Sequence, residues 1–277
     1  PNSLICDISY FATRHYFENC YNDIILNRHQ LAKYNYKKAQ EYYLLNPGVN
    51  PSMVFRLKYL QATFLAFEGR HKESLAITDT LIELTKDRPD TYIFIDAYET
   101  ITLNYEKMGD DENAFKTMEK CFNLYQHKGD NGIQIYMRTR KAGLALKTGR
   151  FDLCLALCDS GMFTVLHRFP DQKELISLNW QNQSIGEVKC MTDLLQFKFQ
   201  VMYQQTLNST DTLQLIELEK LFSKIHEGTV IMHTKVISDH NRLLHELENY
   251  PLTEKVILLN QRLYNLTGNH KYLLNSL

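Results

Sequence analysis

Cysteine is scarce in this chain. There are six in 277 residues, at Cys6, Cys20, Cys121, Cys154, Cys158 and Cys190. Most sit inside apolar runs, which excludes the dense spacing of a disulfide framework and marks them as small core residues. No CxxC pair occurs for zinc or redox chemistry. There is one tryptophan, Trp180. No stretch approaches the roughly 18–20 apolar residues of a membrane-spanning helix, and no basic-then-apolar leader opens the chain. An excess of charge is also missing: Lys+Arg number 31 against 32 Asp+Glu, a net charge of −1. That balance offers no global field for nucleic acid or an anionic membrane. P-loop, GxGxxG, GxSxG and HExxH motifs are all absent, removing the commonest signatures of nucleotide binding, serine hydrolysis and zinc peptidase chemistry.

What is present is a periodic glycine. "FEGRHKESL", "KMGDDENAF" and "KTGRFDLCL" place Gly69, Gly109 and Gly149 forty residues apart. Each follows an apolar-periodic stretch and precedes another. Tyr98, Ile101 and Tyr105 before Gly109, and Ala114, Met118 and Cys121 after it, fall at helical spacing on one face each. Two helices joined by a short glycine turn form an αα-hairpin, and the glycine suits a helix-ending position with φ > 0. Five residues after each glycine stands a small residue, Ser74, Ala114 or Cys154, placed to let the two helices approach closely. With Tyr34 in the glycine's place, Ala39 is the counterpart in a first copy at residues 34–43, "YNYKKAQEYY". A fifth copy begins at "TGNHKYLLNSL". Between the fourth and fifth copies, 161–250 reads as an irregular helical continuation. It has a loop at 168–187, a helix from "VKCMTDLLQ", a turn at "NSTDT", a helix to "KIH", and a separate long helix from Thr229 ended by Pro251. The expected fold is all-α, with about twelve helices.

These turns resemble those of the tetratricopeptide repeat family. The resemblance covers roughly residues 15–160 and 250–277, at a longer period and without the family's early tryptophan. It implies a right-handed α-solenoid: four hairpins over 1–160, the continuation over 161–250, and the start of a further hairpin over 251–277. It implies a groove lined by the first helix of each pair, set thirteen, ten and six residues before the turn. Carried over copy by copy, those positions are Tyr21, Ile24 and Arg28; Arg56, Tyr59 and Thr63; Asp96, Glu99 and Leu103; and Tyr136 and Thr139. Tyr and Arg are common interface anchors. The implied function is a non-catalytic protein- or peptide-binding module without metal or cofactor, with no nucleic-acid binding and no direct membrane insertion by this segment. The run "LLNQRLYNLTGNHKYLLNSL" is similar to the end of the repeat region in Bacteroidetes-type bacterial signalling proteins. That resemblance implies a sensory segment of a larger protein, in the periplasm rather than the cytoplasm. The alternatives are the peptide-binding half of a cytoplasmic transcription regulator and a free-standing scaffold or adaptor. A start at Pro1-Asn2-Ser3 without Met and a last copy that stops at Leu277 lead us to expect a longer parent chain.

Other clusters read as structural. Cys154 and Cys158 share a helix face but have no matching pair. His226, His233 and His240 keep heptad spacing; His233 and His240 would share a helix face about 10 Å apart, too far for one metal ion. Asp96, Glu99 and Glu106 read as solvated helix charges with Lys107 and Lys116 nearby. Arg138, Arg140, Lys141, Lys147 and Arg150 spread over both faces of their helix. The sequons at Asn182, Asn208 and Asn265 imply glycosylation only in a secreted eukaryotic chain.

Overall fold

The computed structural model describes residues 2–25, 28–45, 51–86, 92–125, 131–167, 171, 175, 178–180, 185–235 and 239–275; within them, side chains are described except at 2–8, 21–22, 25, 29, 51–52, 85, 92–93, 185–186 and 233–251. The described residues form twelve α-helices and no strand. Two compact units divide them, 1–128 and 129–277. The first holds α1 (Asn2–Ile25), α2 (His29–Leu45), α3 (Pro51–Phe67), α4 (His71–Thr85), α5 (Tyr92–Lys107) and α6 (Asp111–Tyr125). The second holds α7 (Asn131–Lys147), α8 (Phe151–Leu166), α9 (Ile185–Gln205), α10 (Thr212–Lys235), α11 (Asp239–Thr267) and α12 (His270–Leu274).

Within each unit consecutive helices pair as hairpins: α1/α2, α3/α4 and α5/α6, then α7/α8, α9/α10 and α11/α12. The first helix of a hairpin also packs on the hairpin before it. In this way α5 lies against α3 and α4, and α9 against α7 and α8.

The glycines end helices, as their spacing suggests. Gly69, Gly109 and Gly149 have φ of 76°, 73° and 72°. At each, the next N–H reaches back five residues: Arg70 to Leu65 O, Asp110 to Tyr105 O and Arg150 to Ala145 O, all 2.8 Å. The glycine N–H bonds three residues back, to Ala66, Glu106 and Leu146. This pair of bonds is the Schellman closure, and its left-handed residue favours glycine. Gly268, φ 66°, closes α11 with a single bond to Tyr264 O at 2.8 Å. After the three 40-residue turns, Ser74, Ala114 and Cys154 are fully buried where the paired helices meet.

The first hairpin has a different register from the one its sequence suggests. Tyr34 lies in the body of α2, exposed, not at a turn. The bond equivalent to those above runs from Arg28 N–H to Asp23 O at 2.8 Å. The turn therefore falls between Ile25 and His29, and the small contact residue is Ala32, whose N–H bonds Arg28 O. Ala39 is buried too, two turns further along. A seven-residue slip preserves the apolar face of a helix almost perfectly, so periodicity alone reads equally well in both registers. The aligned small residues are Ala32, Ser74, Ala114 and Cys154, spaced 42, 40 and 40 residues apart.

A buried polar bridge joins the second and third hairpins. Asn104 of α5 donates to Ser74 Oγ at 2.7 Å and to Thr100 O at 2.8 Å, and accepts from His71 Nδ1 at 2.9 Å. Ser74 donates onward to Ala62 O of α3 at 2.7 Å.

The stretch 161–250 is more regular than its punctuation suggests. Gly228 does not separate two helices; it lies inside α10. A Cβ there would stand 2.5 Å from Thr192 Oγ1 of α9 and 3.0 Å from the Trp180 ring. The glycine is a packing notch. It seats Trp180, 1% exposed, whose segment is tied down by Lys224 Nζ donating to Leu178 O at 2.7 Å. Pro251 does not end a helix either: α11 runs through it from Asp239 to Thr267. The α9/α10 turn does without glycine, because Asp211 caps α10 by accepting from Leu213 N at 2.9 Å. His233 and His240 do not share a helix, since they fall on α10 and α11; their side chains lie outside the described residues.

Two substitutions test these roles. No atom lies within 4 Å of a Cβ built at Gly109, so only backbone strain opposes one. Gly109→Val should lower stability by about 1–2 kcal/mol in urea unfolding followed by circular dichroism. Gly228→Ala should cost about 1–3 kcal/mol by overpacking and shift the emission of the single tryptophan to the red; an unchanged emission maximum would contradict the notch.

Candidate binding surface

The first helices of the hairpins carry the residues that the family resemblance nominates. Arg28 leaves that set. It stands at the α1/α2 turn, exposed, 3.8 Å from the buried carboxylate of Asp23, which also accepts from Asn35 at 2.8 Å. The register correction moves the first hairpin's equivalents to Arg14, Phe17 and Tyr21. Tyr21 was named for a different row, and its side chain lies outside the described residues. Ile24 packs half-buried against the core cluster that contains Phe17 and Cys20.

In the first unit the structure draws three nominated residues together. Arg56 of α3 sits half-buried with its guanidinium 5.4 Å from the centre of the Phe17 ring. Asp96 and Glu99 stand one turn apart on α5, both half-buried. Burial, and then the charge of Glu99, push the Asp96 carboxyl up to about 7, with Arg56 pulling the other way. These carboxylates are therefore not simply solvated helix charges. Glu99 also raises the buried Cys121 thiol, after burial itself, to about 12. Thr63, buried, donates to Tyr59 O at 3.0 Å, and its hydroxyl lies 3.5 Å from that of Thr100 on α5. Tyr59 is half-buried beside the first core cluster, and Leu103 is half-buried on α5.

In the second unit, Tyr136 and Thr139 line a pocket of about 600 Å³ between α7 and α9. Tyr136 is 41% exposed and Thr139 buried. The α7 side adds Gly132, Ile135, Arg140 and Gly143, and the α9 side Glu187, Lys189, Cys190, Asp193 and Phe197. A Cβ at Gly143 would stand 3.1 Å from Phe197 Cζ, so glycine lets that ring settle against the α7 backbone. Lys189 pairs with Asp193 at 3.1 Å. Burial foremost, then Asp193, raises the Cys190 thiol, against a hydrogen bond with Thr139. Sequence reasoning missed the α9 wall because α9 lies outside the glycine-turn pattern. Its signal was available in the helical spacing of Cys190, Asp193 and Phe197.

The other cysteines are core residues where described: Cys20, Cys121, Cys154 and Cys158 are fully buried. Cys190, half-buried in the pocket wall, departs from that expectation; the Cys6 side chain lies outside the described residues. The hydrogen bond with Cys154, and then burial, push the Cys158 thiol up and keep it protonated. Among the described residues, no group of three or more metal-ligating side chains converges and no helix is long and apolar enough to cross a membrane. No protein-family model and no curated protein matches this chain.

The Asp96 shift has a definite sign. Its pKa rises on folding from about 3.8 to about 7. The folded chain then holds the extra proton between those values, so its contribution to stability declines as pH rises through that window and levels off above it. Asp96→Asn should remove that slope and stabilise the protein at pH 8 by on the order of 2 kcal/mol, with little gain at pH 4. Urea midpoints across pH 4–8 check it.

Proposed function

We propose that this chain is a non-catalytic, tetratricopeptide-like module that binds a protein or peptide along the first helices of its hairpins. The observation that carries this reading is the α7/α9 pocket, which is open on a first-helix face and contains Tyr136 and Thr139. At about 600 Å³ it falls within the range of sites that bury a small ligand or a short peptide segment. In the first unit the same face presents Arg56, Tyr59, Asp96 and Glu99 half-buried, types that combine contact area with polar selectivity. The repeated turn geometry supports the tetratricopeptide-like reading and, with it, a solenoid of stacked hairpins. The likeness of residues 258–277 to the repeat regions of bacterial signalling proteins supports a place as the sensory input segment of a larger chain.

Selection of a displayed random peptide library on the purified chain tests the binding reading. A recurrent sequence motif should emerge, and Tyr59→Ala with Tyr136→Ala should weaken binding of the selected peptides at least about tenfold, as expected for loss of two aromatic anchors, with helicity intact by circular dichroism. Recovery of no motif, or equal affinity in the double variant, would sink it.

A further inference from the structure

We infer that the α7/α9 pocket is a receptor for one uncharged aromatic side chain of the bound peptide, an assignment that rests on the peptide-binding reading above. The pocket's ionisable wall is balanced. Its lining holds two bases, Arg140 and Lys189, and two acids, Glu187 and Asp193, and the Lys189–Asp193 pair is closed at 3.1 Å. A charged occupant meets no net opposite charge there, and would lose its own hydration in a wall whose charges already offset one another. The rest of the wall is apolar and ring-bearing. Ile135 is buried, Phe197 lies over Gly143, and Tyr136 stands exposed at the rim. Rings on two sides favour an aromatic guest through edge and offset-stacked contacts. Arg140, one turn from Tyr136, adds a guanidinium that suits an aromatic face. Gly143 makes the arrangement particular to this hairpin. Its counterparts in the second and third hairpins are Thr63 and Leu103; at 143 a Cβ alone would stand 3.1 Å from Phe197 Cζ, so a larger side chain would displace that ring.

Cys190 supplies the readout. It is a half-buried thiol in the pocket wall, whereas Cys20, Cys121, Cys154 and Cys158 are fully buried. The experiment follows alkylation of Cys190 by iodoacetamide, using peptide mass spectrometry on the full chain, with N-acetyl-phenylalaninamide as the probe. N-acetyl-lysinamide and N-acetyl-glutamic acid amide are the charged comparisons. The aromatic amide should slow alkylation saturably, with a dissociation constant on the order of 1 mM for a ligand of its size. The charged amides should not slow it. Tyr136→Ala should abolish the protection while Cys190 still reacts and the circular dichroism spectrum is unchanged. Equal protection by all three amides, none by the aromatic one, or full protection in Tyr136→Ala would overturn the assignment. The library selection separates the two ideas. A motif without an aromatic residue overturns the receptor and leaves peptide binding standing. Aromatic protection of Cys190 without any selected motif supports the pocket's chemistry and removes the peptide.

Discussion

The backbone bond from the residue after each turn to the carbonyl five positions earlier is the constraint on which the hairpins depend. It can form only if the intervening residue is left-handed, which glycine adopts without a Cβ penalty. Once it forms at Gly69, Gly109 and Gly149, the second helix starts at a fixed angle and its first inward residue meets the first helix at close range. Ser74, Ala114 and Cys154 are small because that contact leaves no room for more. The pattern is local, and it repeats because each hairpin solves the same closure problem.

Local closure does not join one hairpin to the next. In the first unit that work falls partly to Asn104, which ties α5 to Ser74 and His71 of α4. Buried amides of this kind stabilise only when fully bonded, so they favour one register of packing over its neighbours. In the second unit a glycine acts in the opposite sense from the turn glycines. Gly228 stays helical, and its missing side chain admits Trp180 and Thr192. The same residue type thus ends helices where φ is positive and brings helices together where it is not.

The surface follows from this stacking. Within the first unit α3 lies beside α5, and within the second α7 lies beside α9, so Arg56 faces Asp96 and Tyr136 faces the wall of α9. The charge at Asp96 is then a property of the packing, because a carboxylate that would be solvated on an isolated helix is desolvated between two of them. Gly143 extends the logic: one absent side chain lets Phe197 in and leaves the pocket with a ring wall.

The sequence by itself determined the all-helical character, the three 40-residue turns with the helices that flank them, and the small residues beside them, since each depends on neighbours within about ten positions. It also placed Tyr136 and Thr139 on one helix face. It did not determine the register of the first hairpin, because a shift of two helical turns keeps every apolar residue on its face. Only the Arg28–Asp23 bond and the burial of Ala32 decide it. Nor did it show that Gly228 and Pro251 lie within helices, that Asp96 is held near neutral pKa, or that α9 closes a pocket on α7. Each of those depends on which residues from distant parts of the chain come to lie opposite one another, and tertiary packing alone sets that.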